Sequence, residues 1–437
     1  MTSNRLTKQI LAIVLVTAIF FVGFYLLAKK TGVAPTSQAD LEGSFPSAPE
    51  TTIEETSTAQ PTEDKKPGFI SSIFGLGQNS ENQSVSSKIR KPLSMAIAGY
   101  TLSDQGKSMV FMEKATGHIA RLDLQSGSTT IISNTTLPGV EEAYWGTEGA
   151  NLRVIARYLK TEWDIESLSA SVPLTPKITA SSTDNRQLTS VILDNRSYAF
   201  AVSPDGKKIF SLNYTPAGEA VGLISDFGFK NPTEVWRSPL TEWLPTWVGP
   251  NLVTLQTKSS GGATGFLFSL SLSTGRFTKL LGPINGFTAL PSAGLARLAY
   301  SGSDDNFKLK IYDPATDKTS AYVLQTLPEK CVWTADSQKL YCAVPAALPA
   351  KTLLPDTWYS GEVSFADNIW LIDTKTGETK ELFQQGNASE TGGFDAINLS
   401  LDPLNQKLYF RNKNDLTLWS LDLKENSFAP VATTSAR

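Results

Sequence analysis

A turn followed by an alternating apolar strand recurs from residue 93 to the end of the chain, and this repeat restricts the possible folds more than any other feature. The turns carry Asp, Gly or Asn, and the copies begin at residues 103, 146, 203, 248, 291, 334 and 401. Successive copies are separated by 43, 57, 45, 43, 43 and 67 residues, so four of the six steps are nearly equal. A near-constant period of about 20 to 50 residues indicates an architecture built from repeated structural units.

A second hairpin follows the first in most of these units. It has the form apolar-x-apolar, a turn, and another alternating strand, as in RLDLQSGSTTII (121–132) and LIDTKTGETKEL (371–382). With the apolar segment that precedes the first turn, each unit holds four antiparallel strands, which is typical of a propeller blade. The sequence therefore predicts an all-β domain over residues 93–437, folded as a seven-bladed β-propeller of four-stranded antiparallel blades.

Closure of the ring is left open by the sequence. A single blade exposes apolar faces and unpaired edges, so the units should stack radially and close into a ring. The last unit has enough apolar segments for four strands of its own, but residues near Ile89 could also add a strand to it.

The turn of the third unit resembles a known repeat. Its sequence SPDGKKI (203–209) is similar to the turn of the TolB-type, WD40-like (PD40) propeller repeats, and weaker copies occur at 104–107 and 336–339. The resemblance covers about three quarters of the chain and implies the propeller fold. It implies no particular function, because these turn residues stabilise a hairpin and need not touch a ligand.

An uncharged apolar segment, ILAIVLVTAIFFVGFYLLA, runs from Ile10 to Ala28. As a helix it would span about 28 Å, close to the hydrocarbon thickness of a bilayer. It is longer than the core of a cleaved signal peptide and continues directly into Lys29 and Lys30. We predict that residues 1–30 form a cytoplasmic leader and one transmembrane helix; a removed signal peptide and a buried soluble helix are the alternatives. The short basic leader favours a cytoplasmic N-terminus and an extracytoplasmic domain.

Residues 31–92 separate this segment from the repeats. The first part of this region is rich in Ser, Thr, Pro and acidic residues and has few large apolar side chains. Such a composition cannot bury enough surface to offset the conformational entropy of folding. We predict a disordered stalk that holds the domain away from the lipid surface.

The chain contains two cysteines, Cys331 and Cys342, in the segment CVWTADSQKLYC. A hairpin that sets Trp333 opposite Leu340 also sets the two cysteines opposite each other. Opposed residues of an antiparallel pair lie about 4.5–5.5 Å apart, a separation that a disulfide can close. We predict this disulfide because such bonds persist in exported domains. Two buried thiols are the alternative.

Charge and motif content argue against two classes of function. Lys and Arg are scattered singly or in pairs and the net charge is −3, so the basic footprint of a nucleic-acid-binding protein is missing. The chain has one histidine, His118, and lacks the Gly-x-Ser-x-Gly, His-Glu-x-x-His and phosphate-loop motifs. We predict no enzyme activity, no cofactor and no metal site, with carboxylates such as Asp304 and Asp305 as the alternative metal ligands.

An irregular insertion interrupts the sixth unit between Ala343 and Asn368. It reads AVPAALPAKTLLPDTWYSGEVSFADN and combines three prolines with an aromatic pair. Ordered proline-rich loops with exposed aromatic side chains are typical of surfaces that bind partners. The candidate partner-binding residues are Asp356, Trp358 and Tyr359. In the alternative interpretation, Trp358 folds back and covers its own blade.

These features together predict a membrane-anchored, extracytoplasmic propeller that acts as a protein–protein interaction or scaffold module of the cell envelope. The expected partners are the membrane, through the N-terminal helix, and an envelope protein, with no nucleic acid. The alternatives are a module that binds cell-wall glycan or another polymer, and a metal-dependent hydrolase. Glycan binding predicts aromatic side chains with polar neighbours, whereas a protein site predicts a larger apolar patch around the insertion.

Overall fold

A computed structural model of the chain describes residues 88–149, 151–162, 164–174, 187–194, 196–385 and 393–424. The sheets in this part of the chain are seven antiparallel blades of four strands each, so the predicted all-β, seven-bladed propeller is confirmed. The predicted transmembrane segment from Ile10 to Ala28 and most of the predicted stalk lie outside the described residues. Within them, no helix has both the length and the apolar character needed to cross a bilayer.

The strands are numbered in chain order, beginning with β1 (Ile89–Leu93). The first blade consists of β2 (Ile97–Ser103), β3 (Ser108–Glu113), β4 (Ile119–Asp123) and β5 (Thr129–Ser133). The second consists of β6 (Val140–Glu148), β7 (Asn151–Thr161), β8 (Asp164–Val172) and β9 (Thr189–Ile192). The third consists of β10 (Ser197–Val202), β11 (Lys208–Tyr214), β12 (Ala220–Asp226) and β13 (Thr233–Ser238).

The next three blades continue in the same order. The fourth consists of β14 (Trp243–Gly249), β15 (Leu252–Thr257), β16 (Thr264–Ser271) and β17 (Phe277–Asn285). The fifth consists of β18 (Thr288–Pro291), β19 (Leu298–Ser301), β20 (Lys308–Asp313) and β21 (Lys318–Gln325). The sixth consists of β22 (Cys331–Trp333), β23 (Lys339–Pro345), β24 (Asp367–Asp373) and β25 (Thr379–Phe383).

The seventh blade closes the ring with strands from both ends of the domain. Its inner strands are β26 (Ala396–Leu401), β27 (Lys407–Asn412) and β28 (Leu418–Asp422), and its outer strand is β1. Ile89 lies opposite Leu421 and Leu93 lies opposite Leu418, so apolar side chains fill this edge. Of the two modes of closure left open by the sequence, the added strand near Ile89 is the one observed. The ring therefore includes residues that the sequence placed in the stalk.

Burial varies with a strand's position in its blade. First strands contact the first strands of neighbouring blades, as β2 contacts β6, and they surround the central channel. Second strands lie between other strands and between adjacent blades, so β3 and β23 are buried over nearly their whole length. Fourth strands lie at the rim, and β9 is exposed at every position.

The repeated turns are structural, as the resemblance implies. In the third blade, the hydroxyl Oγ of Ser203 accepts hydrogen bonds from the backbone N–H groups of Lys207 and Lys208, at 3.1 and 2.9 Å. Gly206 has a positive φ of 72°, which glycine adopts without a steric penalty. These bonds close the first hairpin of the blade.

Helical structure among the described residues is confined to short turns. Four are 3-10 turns, at Asp104–Gly106, Ala293–Leu295, Ser303–Asp305 and Pro328–Lys330. One is α-helical, α1 (Asp356–Tyr359), and it lies in the insertion of the sixth blade.

Candidate functional site

The insertion of the sixth blade connects β23 to β24 and packs against neighbouring blades. Its helical turn α1 buries Trp358 in a small apolar cluster with Leu354, Phe365 and Phe307. Phe307 belongs to the fifth blade, and the side chain of Asp356 reaches the fourth, where its Oδ2 accepts the backbone N–H of Gly261 at 2.6 Å. The insertion is therefore an ordered part of the ring that ties blades together.

The three predicted partner-binding residues have different surroundings. Trp358 is 3% exposed and stacks on Phe365 with ring centroids 5.8 Å apart, so its indole is not a contact surface for a partner. The prediction that Trp358 contacts a partner is therefore corrected. The loop folds back onto the ring, because burial of a large aromatic side chain stabilises the folded protein. Tyr359 is 38% exposed and donates its hydroxyl to Glu329. Asp356 is engaged by Gly261, which leaves Tyr359 as the accessible residue of the three.

A charged network lies directly beneath the insertion. The ammonium Nζ of Lys330 contacts Asp395 and lies 2.9 Å from Oδ2 of Asp367, and all three side chains are fully buried. Lys330 also donates to the carbonyl of Ala396 at 3.0 Å and lies 5.0 Å from the centre of the Trp358 ring. Buried charges are tolerated only when paired in this way, so the network fixes the insertion to the sixth and seventh blades.

Asp367 is the least satisfied member of that network. Its Oδ2 accepts the N–H of Ala396 at 2.6 Å, whereas its Oδ1 has no hydrogen-bond partner among the described residues. Burial raises the pKa of Asp367 to about 6, the ammonium of Lys330 opposes this rise and the charge of Asp395 adds to it. No local sequence pattern indicated this network, because its members are 28 to 65 residues apart.

A second feature is a cavity of about 720 Å³ that follows the innermost strands of the seventh, first and second blades. We call it the channel cavity. It is lined by Ala98, Gly99, Tyr100, Thr101, Leu102, Glu142, Ala143, Tyr144, Ile397, Asn398, Leu399, Ser400 and Arg411. Apolar walls with a few convergent polar groups are typical of ligand sites, so this cavity is the candidate functional site.

A bulge in β26 shapes one wall of the channel cavity. Asn398 has a positive φ of 53°, and the pairing register with β27 shifts between Ile397 and Ser400. The carbonyl of Asn398 accepts the hydroxyl of Tyr100 at 2.8 Å, and Oγ of Ser400 lies 2.9 Å from the same hydroxyl. Burial raises the pKa of Tyr100, so its phenol stays protonated at neutral pH. Bulges that redirect a strand are frequent next to functional sites.

Glu142 and Tyr144 form the wall contributed by the second blade. Oε2 of Glu142 accepts the hydroxyl of Tyr144 at 2.9 Å and Nη1 of Arg157 at 2.8 Å. Burial raises the pKa of Tyr144, and the nearby charge of Glu142 adds to the rise. The carboxylate is thus paired, and the phenol is held as a neutral donor.

Arg411 is the cation of the channel cavity and comes from the second strand of the seventh blade. It is 8% exposed, and its Nη1 donates to the carbonyls of Ile97, at 3.1 Å, and Ala98. No carboxylate among the described residues lies within salt-bridge distance of it, and its Nε has no partner there. Burial lowers the pKa of Arg411. The sequence did not lead us to predict a role for Arg411. The one indication is that a single basic residue follows the apolar residues of LYFRN (408–412).

The two cysteines have the register that the sequence predicts. Cys331 lies opposite Cys342, Trp333 lies opposite Leu340, and a disulfide joins the cysteines. Both residues belong to the apolar core between the fifth and sixth blades. The bond therefore links the innermost strand β22 to the buried strand β23.

The other residues singled out by the sequence make local contacts. His118 has its ring Nε2 3.4 Å from the hydroxyl of Thr136. Asp304 accepts from the side chain of Asn285 at 2.8 Å, and Asp305 pairs with Lys310. In the described part of the chain, no group of three or more His, Cys, Asp or Glu side chains is placed to hold a metal ion.

The fold and the channel cavity define the class of protein as a seven-bladed β-propeller with a pocket on its inner strands. No family model and no curated protein matches the chain, so the resemblance to TolB-type repeats stays a prediction.

Solved structures with similar folds include an oligogalacturonate lyase from Vibrio parahaemolyticus, with a TM-score of 0.53 and 12% identity over 77% of this chain and 94% of that one. An oligogalacturonate lyase in complex with manganese has a TM-score of 0.52 and 11% identity over 77% of this chain and 93% of that one. A chain of the mitotic checkpoint complex has a TM-score of 0.49 and 10% identity, covering 81% of this chain and 99% of that one. At these identities the likeness concerns the fold alone.

Proposed function

We propose that this protein is a non-catalytic binding module, a scaffold that captures a protein partner at the channel cavity. The cavity itself carries the proposal, because it combines apolar walls with a few oriented polar groups on rigid inner strands. Its phenols, Tyr100 and Tyr144, are each engaged by protein acceptors and have raised pKa values, which suits recognition better than proton transfer near neutral pH.

The cellular setting of the proposal comes from the sequence. A nineteen-residue apolar segment from Ile10 to Ala28 and an acidic, Pro-rich region would tether the ring to the membrane at a distance. The disulfide partners Cys331 and Cys342 favour an oxidising compartment. On this basis we place the ring on the extracytoplasmic side, as a module of the cell envelope.

The test is a crosslinking pull-down from native membranes with a variant that fills the channel cavity. Thr101 lines the cavity, so Thr101→Trp should reduce partner capture at least tenfold. Thr246→Trp is the matched control, because Thr246 is an exposed residue of an innermost strand, β14, that does not line the cavity. Equal capture by both variants would show that the cavity is not the partner site.

Recognition of cell-wall glycan is the second candidate function. Two tyrosines, Tyr100 and Tyr144, line the cavity beside Glu142, Asn398 and Ser400, and aromatic side chains with polar neighbours suit a sugar ligand. Around the insertion, by contrast, the exposed large apolar side chains among the described residues are Leu353 and Tyr359. Cosedimentation of the wild type, but not of Thr101→Trp, with purified cell-wall polymer would favour the glycan over a protein partner.

A further inference from the structure

Arg411 lines the channel cavity, and its hydrogen-bonding capacity is only partly used. Its Nη1 is occupied by the carbonyls of Ile97 and Ala98, whereas its Nε is buried without a partner among the described residues. A guanidinium is always charged near neutral pH, and carboxylates are among its preferred hydrogen-bond partners. A buried donor without a partner destabilises the protein unless a ligand supplies the acceptor.

The charge of Arg411 is also uncompensated at close range. No carboxylate of the described residues lies within salt-bridge distance of its guanidinium, and the nearest wall carboxylate, Glu142, is already paired with Arg157 at 2.8 Å. A buried cation without a counter-ion is unfavourable, so an anionic group in the cavity would stabilise it.

The remaining wall restricts which anion fits. Glu142 adds a negative charge to the same cavity, so a dianionic phosphate meets more repulsion than a monoanionic carboxylate. Leu102, Ile397 and Leu399 supply apolar contacts, which suit a carboxylate carried by an apolar segment more than a free small ion.

We propose that the channel cavity recognises a carboxylate of a peptide segment and that Arg411 is its counter-charge. The inference rests on the proposed function, because it names the chemistry by which the partner is held. The carboxylate pairs with the guanidinium of Arg411 at the cavity wall, the hydroxyls of Tyr100 and Ser400 lie along the path of the segment, and the apolar wall contacts the adjoining side chain. The carboxylate comes from a C-terminus or from an Asp or Glu side chain.

The test uses the purified full-length protein and two libraries of N-acetylated tetrapeptides. One library has a free C-terminal carboxylate and the other is C-terminally amidated, and retained peptides are identified by mass spectrometry. We expect free-acid peptides to be retained and amidated peptides to be retained only when they carry Asp or Glu, an outcome that identifies the source of the carboxylate. Retention of amidated peptides without Asp or Glu at an equal level, or of neither library, overturns the proposal.

Two variants test the role of the charge. Arg411→Met should weaken binding of a retained peptide at least tenfold, because hydrogen bonds to a charged group are the strong ones. Glu142→Gln removes the opposing charge and should tighten binding by about two- to fivefold. Unchanged affinity in Arg411→Met overturns the proposal. If circular dichroism shows that Arg411→Met does not fold, Glu142→Gln decides: tighter binding supports the proposal, and unchanged or weaker binding overturns it.

The same variants separate this inference from the proposed function. A partner captured from membranes equally by the wild type and Arg411→Met, but lost in Thr101→Trp, keeps the scaffold function and rejects carboxylate recognition. If Thr101→Trp captures the partner as well as the wild type does, the channel cavity is not the partner site.

Discussion

The indole Nε1 of Trp358 donates a hydrogen bond to Oδ2 of Asp395 at 2.7 Å, which joins the insertion of the sixth blade to the start of the seventh. The same carboxylate oxygen accepts the backbone N–H of Phe365 at 3.0 Å, and Lys330 contacts the other oxygen. The aromatic residue that the sequence offered as a binding surface is thus a structural clamp.

Trp358→Phe tests this clamp. The substitution removes the donor to a buried carboxylate and leaves unfilled volume, so we expect the free energy of unfolding to fall by about 2–4 kcal/mol. Urea denaturation of the wild type and the variant measures this difference in the free energy of unfolding. Tyr359→Phe is the control, because Tyr359 is partly exposed and its change should stay within about 1 kcal/mol. Equal effects of the two substitutions would contradict the clamp.

Asp367 should make stability fall as the pH rises. Its pKa is about 6 in the folded protein against the ordinary 3.8, so between these values the folded protein holds a proton that the unfolded chain has released. Stability therefore decreases across this window, and the difference corresponds to about 3 kcal/mol. Asp367→Asn removes the titrating group. The free energy of unfolding of the wild type, measured relative to that of this variant, should therefore decrease from pH 4 to pH 6.

Asp336→Asn is the control for the pH experiment. The pKa of Asp336 is lowered, chiefly by the hydrogen bond from Thr334. Ionised Asp336 therefore stabilises the folded protein above the ordinary pKa of an aspartate, and this stabilisation is lost as the pH falls. As the pH rises, the free energy of unfolding of the wild type should increase relative to that of Asp336→Asn. This trend is opposite to the one expected for Asp367→Asn. Parallel pH profiles of the two variants would contradict the assignment to Asp367.

The Cys331–Cys342 bond is open to a direct chemical test. These are the two cysteines of the chain, so alkylation followed by mass spectrometry should add no label before reduction and two labels after it. Because the bond closes a loop of 11 residues, we expect its reduction to lower stability by about 2–3 kcal/mol. Two labels on the unreduced, freshly isolated protein would remove the support for an oxidising compartment.

Gly99 sets the close approach of the first and second blades at the channel cavity. A Cβ at this position would lie 2.7 Å from the carbonyl oxygen of Ala143, on the neighbouring inner strand. Gly99→Ala should therefore lower the free energy of unfolding by about 1–3 kcal/mol. At Gly262, where the nearest atom to a Cβ is 3.9 Å away, alanine should change stability by less than about 1 kcal/mol. Thermal unfolding of both variants provides the comparison.

The repeat made most of the fold predictable. Turn-and-strand units at regular spacing require only local pairing, and the register of Cys331 with Cys342 followed from the same hairpin geometry. Closure of the ring was harder to predict because β1 reads IRKPL, and only Ile89 and Leu93 distinguish it from a polar linker.

The site was less predictable because its contacts are not local. Arg411 bonds to Ile97 and Ala98, more than 300 residues earlier in the chain, and only closure of the ring brings them together. The prolines and aromatics of the insertion indicated an ordered loop, but its sequence did not show which side of Trp358 would meet the buried Asp395.

Site-specific photocrosslinking in intact cells tests the proposed partner site most directly. A photoreactive amino acid replaces Thr101, in the channel cavity, or Thr246, on the inner strand of the fourth blade. We expect one discrete protein adduct from position 101 and none from position 246, and the adduct should disappear when Arg411→Met is added. No adduct at 101, or equal adducts at both positions, would contradict a partner site in the channel cavity.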